Sequence, residues 1–147
     1  MPAQSSKVEI LQSWYALAWS QGDLSAIDDY FLPGVSASGV VPSLKLSRND
    51  FEAFVTSLRS RLRGIRITVT HAVEQGDWLA ARIAFESACA ATGNPVSTSG
   101  HVMIRFEDGK MAETHNQFDY ITLFEQLGQL PQDTVAACLT GQGLMWR

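Results

Sequence analysis

The hydrophobic period of this chain changes from helical to alternating at Gly64. Before that residue the apolar side chains recur at helical spacing, and from there to Phe118 they alternate. Val8, Leu11, Trp14, Tyr15, Ala18 and Trp19 form a helical stripe. Ser6 and Glu9 have the spacing of a capping box, and Gly22 is a natural stop. Asp23 can cap a short second helix bearing Leu24, Ile27 and Phe31, after which Pro33-Gly34 turns the chain. Ser47 caps a third helix with Asp50 at N3 and a stripe of Phe51, Phe54, Val55, Leu58 and Leu62. Val35 to Val41 reads as an edge strand or a loop.

Beyond Gly64, Ile65, Ile67, Val69, His71 and Val73 alternate with Arg66, Thr68, Thr70 and Ala72, the signature of a half-buried strand. Trp78 to Cys89, Val96 to Phe106 and Met111 to Phe118 are three more strands. The breaks between them are Gln75-Gly76, Thr92-Gly93-Asn94-Pro95 and Glu107-Asp108-Gly109. Asp119 begins a closing helix with Ile121, Leu123, Phe124 and Leu127, stopped by Gly128, and Pro131 can open one more that ends near Gly141. Helices, an antiparallel meander and a closing helix predict an α+β fold. Four long twisted strands must curve, so the sheet wraps around the N-terminal helices as a cone. Its open end is the expected site for a small hydrophobic ligand. A chain of 147 residues suits one domain, 1–147, with one core.

Charge and cysteines narrow the function classes. A formal net charge of −4 gives no general attraction to nucleic acid or anionic membrane. Arg59, Arg61, Arg63 and Arg66 read as a solvated helix end, where cations favour the dipole. Cys89 and Cys138 form neither a disulfide framework nor a zinc spacing, and read as reduced thiols. Met1-Pro2-Ala3-Gln4 leads directly into the first helix without a signal-peptide core, and no apolar run is long enough to span a bilayer. The expected compartment is the cytoplasm, and the cysteine spacings predict no metal site.

Register decides which side chains face the cone, because a slip of one residue reverses them all. With Gln75-Gly76 as a two-residue loop, Glu74 pairs with Asp77 and Val69 lies opposite Arg82. The face of Ile65, Ile67 and Val69 then also holds Arg82 and Glu86, and His71 shares it. With Glu107-Asp108-Gly109 as a three-residue loop, Phe106 pairs with Lys110. One face then carries Thr98, Val102, Ile104, Phe106, Thr114, Asn116 and Phe118, and is apolar enough to be the inner one. The other carries His101, Met103, Arg105, Glu113, His115 and Gln117, with His101 directly opposite His115. No third metal ligand accompanies that pair, so it reads as a surface or dimer-interface feature.

Gly76-Asp77-Trp78-Leu79-Ala80-Ala81-Arg82 resembles the "GD-x-V-a-x-R" hairpin of the SnoaL-like polyketide cyclase family. Arg105-Phe106-Glu107-Asp108-Gly109-Lys110-Met111-Ala112-Glu113 is similar to that family's "RFxDGKIxE" hairpin. Phe118-Asp119, Leu123 and Gln126-Leu127-Gly128 resemble its closing "D…QLG" helix. The matches cover about the C-terminal half. The resemblance implies the cone fold of the nuclear-transport-factor-like superfamily, which includes ketosteroid isomerases, scytalone dehydratases and limonene epoxide hydrolases. It also implies acid/base chemistry on a hydrophobic carbonyl compound, with no metal, nucleotide or other cofactor. Such chemistry requires a carboxylate whose pKa is raised by an apolar pocket. Cyclases of the family commonly carry "H-W-D" after the glutamate of the last strand, with the aspartate as acid/base. Here Glu113-Thr114-His115-Asn116 puts an asparagine at the aspartate position. Asparagine cannot take a proton at neutral pH. The epoxide hydrolase pattern finds its arginine at Arg82 but meets Ala84 and Asn116 at its aspartate positions.

The candidate catalytic residues are therefore His71, Asn116 and Asp119. Asp119 is equally a helix cap, and His71 equally a core histidine. Residues expected at a ligand are Arg82, Thr98, Val102, Thr114, Phe118, Tyr15 and Val69. Trp14, Trp19, Phe51 and Phe54 read as core, some of them lining the cone. Three functions stay open: a cofactor-independent cyclase or isomerase, a binding protein that has lost its base, and a homodimer assembled through the outer sheet face.

Overall fold

Ser6 opens the first helix as its spacing predicts, its hydroxyl accepting the Glu9 N–H at 3.1 Å. The structure, a computed structural model, describes residues 5–35, 37–40 and 45–144. The polar lead-in Met1 to Gln4, and Ser36 and Val41 of the Val35–Val41 stretch, lie outside the described residues. Helix α1 (Lys7–Tyr15) widens to π geometry over Ala16–Ser20. Arg59 donates to the carbonyls of Trp19 at 2.9 Å and Ser20 at 3.3 Å, satisfying backbone oxygens at that helix end. The short helix α2 (Ile27–Tyr30) follows, then the two-residue strands β1 (Ala37–Ser38) and β2 (Lys45–Leu46). Helix α3 (Arg48–Arg61) starts at Ser47, whose hydroxyl accepts from Asp50 N at 3.3 Å.

Four long strands make the body of the sheet: β3 (Leu62–Gln75), β4 (Trp78–Cys89), β5 (Pro95–Glu107) and β6 (Lys110–Phe118). They pair antiparallel in sequence order, and the full sheet runs β2-β1-β6-β5-β4-β3. Strand β1 joins the edge of β6 in parallel, with Ser38 beside His115. Helix α4 (Tyr120–Gln126) and α5 (Thr134–Leu139) close the chain. The inner sheet face and the helices share one core, including Leu11, Trp14, Val55, Leu79, Phe85, Ile104 and Leu123. A residue such as Phe85, 2% exposed, gains roughly 1.5–3 kcal/mol from leaving water. Among the described residues, no helix is long and apolar enough to cross a membrane. Cys89 is buried, Cys138 is exposed, and both are free thiols.

Both hairpins differ in register from the sequence reading. The first turns on Gly76-Asp77, with Gln75 paired to Trp78 and Gly76 at φ 57°. Glycine takes that left-handed conformation at little cost. Further along β3 the register shifts between Val69 and His71, where Thr70 is an extra residue. Val69 consequently lies opposite Ile83, and His71 opposite Arg82. The net displacement is odd, so Arg82 and Glu86 leave the face of Ile67 and Val69 for the outer face. Arg66 pairs there with Glu86. The second hairpin turns on Asp108-Gly109 alone, both at positive φ (52° and 76°), as a type I′ turn requires. A register shift between Arg105 and Phe106 then restores the alternation. The displacement is even, and the inner set Val102, Ile104, Phe106, Thr114, Asn116 and Phe118 keeps its face. His101 pairs with Gln117 and Met103 with His115, so the two histidines are one row apart instead of opposed.

Candidate functional site

The concave side of the sheet and the helices enclose a cavity of about 520 Å³. Strands β4, β5 and β6 supply Ile83, Phe85, Val102, Ile104, Thr114, Asn116 and Phe118 to its wall. Helix α1 and its π turn supply Leu11, Trp14, Tyr15 and Trp19, and α3 supplies Phe51 and Leu58. The wall is largely apolar because inward positions of each strand alternate with polar outward ones. Trp14 packs edge-on against Phe31 at 4.9 Å, and Trp19 against Phe51 at 6.2 Å, which fixes the aromatic side of the chamber.

A few polar groups interrupt this surface. Tyr15 and Thr114 are each 7% exposed, and neither hydroxyl makes a hydrogen bond among the described residues. Burial pushes the Tyr15 phenol well above its ordinary pKa, so it remains a neutral donor. Asn116 donates from Nδ2 to the Ser38 carbonyl at 2.8 Å. Tyr120 donates to the Val40 carbonyl, and burial likewise raises its pKa. Its ring packs on Phe118 at 4.9 Å. Residues 37–40 thus form a strap beside the cavity, tied to β6 by the Asn116 amide and to α4 by the Tyr120 phenol. Gly39 at φ 77° allows the closest approach: a β-carbon there would lie 1.9 Å from the Asn116 carbonyl oxygen. Asp28 and Arg48, exposed residues that also line the chamber, pair at 3.1 Å.

The residues singled out from sequence fall into three groups. Asn116, Thr114, Val102, Phe118 and Tyr15 line the cavity together. Thr98 and Asp119 serve the chain instead. Thr98 Oγ1 donates to the Asp119 carbonyl at 3.0 Å, and Asp119 caps α4 by accepting from Thr122 N at 3.0 Å and Thr122 Oγ1 at 2.6 Å. Val69 packs on the core, and its N–H donates to Gln12 Oε1 at 2.9 Å. His71 and Arg82, expected on the inner face, are exposed on the outer one for the register reason given above. Arg82 donates to Thr70 Oγ1 at 3.2 Å, and His71 Nδ1 lies 3.0 Å from the same oxygen. Sequence reasoning missed Tyr120 and the strap. The tyrosine follows the Asp119 cap immediately, and that position on a helix packed against the sheet was the available signal. The strap has no comparable pattern. Among the described residues, no group of three potential metal ligands is present.

Solved structures share this architecture. AclR from Streptomyces galilaeus superposes with a TM-score of 0.71 at 22% identity, covering 92% of each chain. TsrD from Streptomyces laurentii gives 0.69 at 22% identity, over 88% of this chain and all of that one (100%). TerC, solved with polyporic acid, gives 0.66 at 20% identity, over 82% of this chain and 97% of its own. At these identities the likeness establishes the fold alone. No curated protein sequence matches. The sequence model of one family, the SnoaL-like polyketide cyclases, spans residues 9–127, and the chain, with its cone of helices and curved sheet, belongs to that family.

Proposed function

We propose that this protein binds a hydrophobic, carbonyl-bearing ring compound in the cone and orients it without supplying a proton-transfer base. The observation that carries this reading is the character of the polar groups in the chamber. Tyr15, Thr114, Asn116 and Tyr120 put neutral hydroxyls and an amide on a largely apolar wall. Such groups recognise a carbonyl oxygen by donating to it and do not accept its α-proton. Of the described lining residues that could take a proton, Asp28 is exposed and paired with Arg48, and His101 is exposed on the outer sheet face. The two hydroxyls without a partner among the described residues, on Tyr15 and Thr114, are the natural donors. Asn116 and Tyr120 already serve the strap. Catalysis by His71 loses support, since that imidazole is on the far side of the sheet. Cyclase or isomerase turnover stays the second reading, favoured by the family itself. It would work by enclosing a reactive substrate and polarising its carbonyl through Tyr15.

The test uses 1-acetonaphthone and 1-ethylnaphthalene, which differ at the carbonyl. Binding is followed by the fluorescence of Trp14 and Trp19, both on the cavity wall. The ketone is expected to bind more tightly, and Tyr15→Phe to weaken it about fivefold to tenfold while leaving the hydrocarbon unchanged, the scale of one net hydrogen bond. Equal affinities for the two probes, unaffected by Tyr15→Phe, would reject the carbonyl-recognition reading.

A further inference from the structure

The outer sheet face carries a row of which only His101 also borders the cone. Cross-strand pairing puts His71 beside Arg82 and Arg82 beside His101. Neighbouring strands are about 4.8 Å apart, so three basic side chains stand shoulder to shoulder across β3, β4 and β5. The bulge at Thr70 gathers two of them further, with its hydroxyl 3.0 Å from His71 Nδ1 and 3.2 Å from Arg82 Nη1. Among the described residues, none of the three has a carboxylate within salt-bridge distance, although the chain as a whole is acidic at −4. The carboxylates on this face are already engaged. Glu86 pairs with Arg66, and Glu113 pairs with both His115 and Arg105. The same three residues border a shallow depression of about 250 Å³ whose other walls include Val73, Ala80 and Met103. Val73 is 70% exposed and Met103 51%.

We propose that this depression is a second ligand site, on the opposite side of the sheet from the cone although His101 and Val102 border both, for an organic oxyanion with a short apolar tail. The charged head sits on Arg82 between the two imidazoles, where the guanidinium offers a fork of donors to a carboxylate or phosphate. The tail covers Val73, Ala80 and Met103. Arg82 has no carboxylate within salt-bridge distance among the described residues, so an oxyanion head supplies its missing partner while the tail covers exposed apolar surface.

Octanoate is a suitable probe, titrated into the intact protein at pH 6.0, where imidazoles in general carry substantial charge. Amide and methyl chemical shifts give both the location and the affinity. The expected result is saturable perturbation at His71, Arg82, His101 and Met103, weakened at least tenfold by Arg82→Gln and by the double change His71→Gln, His101→Gln. Octanol, with the same tail and no charge, should leave these signals in place. Perturbation confined to cavity residues such as Thr114 and Phe118, or an affinity that Arg82→Gln leaves within twofold, would overturn the proposal. So would sedimentation showing a dimer that excludes octanoate from Met103. Arg82→Gln changes an exposed side chain away from the core, so a failure to bind can be separated from a failure to fold by its unchanged amide spectrum elsewhere. The cone reading is tested by neutral probes and stands or falls separately.

Discussion

Gly39→Ala is expected to release the strap from the mouth of the cone without unfolding the domain. Two independent costs act at that position. A non-glycine residue at φ 77° is strained, and the added methyl would lie 1.9 Å from the Asn116 carbonyl oxygen, which is backbone in a sheet and cannot swing aside. Strain and overpacking together come to about 3 kcal/mol. The strap meets β6 through a single ladder position, Ser38 beside His115, so local detachment relieves the conflict more cheaply than global unfolding. The population of the detached form should rise about a hundredfold, as 1.4 kcal/mol corresponds to a factor of ten. Amide exchange of residues 38–40 reports this directly, and iodide quenching of Trp14 and Trp19 reports the opened chamber. Unchanged protection of the strap amides would show that the chain accommodates the methyl by another route.

Asn116→Asp, which restores the family's aspartate, should cost stability at neutral pH before it confers any chemistry. The Asn116 amide donates to the Ser38 carbonyl at 2.8 Å, and a carboxylate there would face an acceptor with no proton to offer. Leaving that contact unmade in a half-buried place costs about 1–3 kcal/mol. Protonation repairs it, because a carboxylic acid can donate. The introduced group is therefore raised in the folded state relative to the unfolded chain, and the sign follows. Its penalty is small below the unfolded carboxylate pKa near 3.9, grows as pH rises through the folded pKa, and is complete above it. Urea melts of variant and parent should differ most at pH 7 and converge near pH 4. A constant difference across that range would place residue 116 away from the strap carbonyl. If the variant also gains cyclase or isomerase turnover, its rate should be limited by how often the strap is displaced, and combining it with Gly39→Ala should raise it.

Much of this architecture was legible because local signals agreed. The caps at Ser6, Ser47 and Asp119 each bond as their side chains suggest. The change of period at Gly64 falls close to the start of β3 at Leu62, two residues earlier. The inner faces of β5 and β6 followed from alternation even though the loop length was misjudged, since an even displacement preserves parity. Strands β3 and β4 did not, because the extra residue at Thr70 leaves no trace in an alternation of Thr, Val and His. That one residue separates Arg82 and His71 from the chamber. The strap was also beyond reach. Its attachment depends on two backbone carbonyls, at Ser38 and Val40, and carbonyls have no sequence identity. Tyr15 could be placed on a helix face by periodicity, whereas its hydroxyl's access to the cavity depends on how the helix lies across the sheet.

The bulge in β3 has a consequence for how this strand tolerates change. With residue 70 removed, Val69 and His71 become neighbours, and the pairings Val69–Ile83 and His71–Arg82 continue one another without interruption. Every remaining side chain would keep its present side, apolar wall within and basic row without. The local bend of the strand would be lost, and with it the Thr70 hydroxyl's bonds to Arg82 and His71. A one-residue insertion elsewhere between Ile65 and Val73 would instead turn half of the strand inside out. Length variation in this hairpin is therefore tolerated where the register already shifts, at Thr70 and between Arg63 and Arg66, and reverses side chains elsewhere.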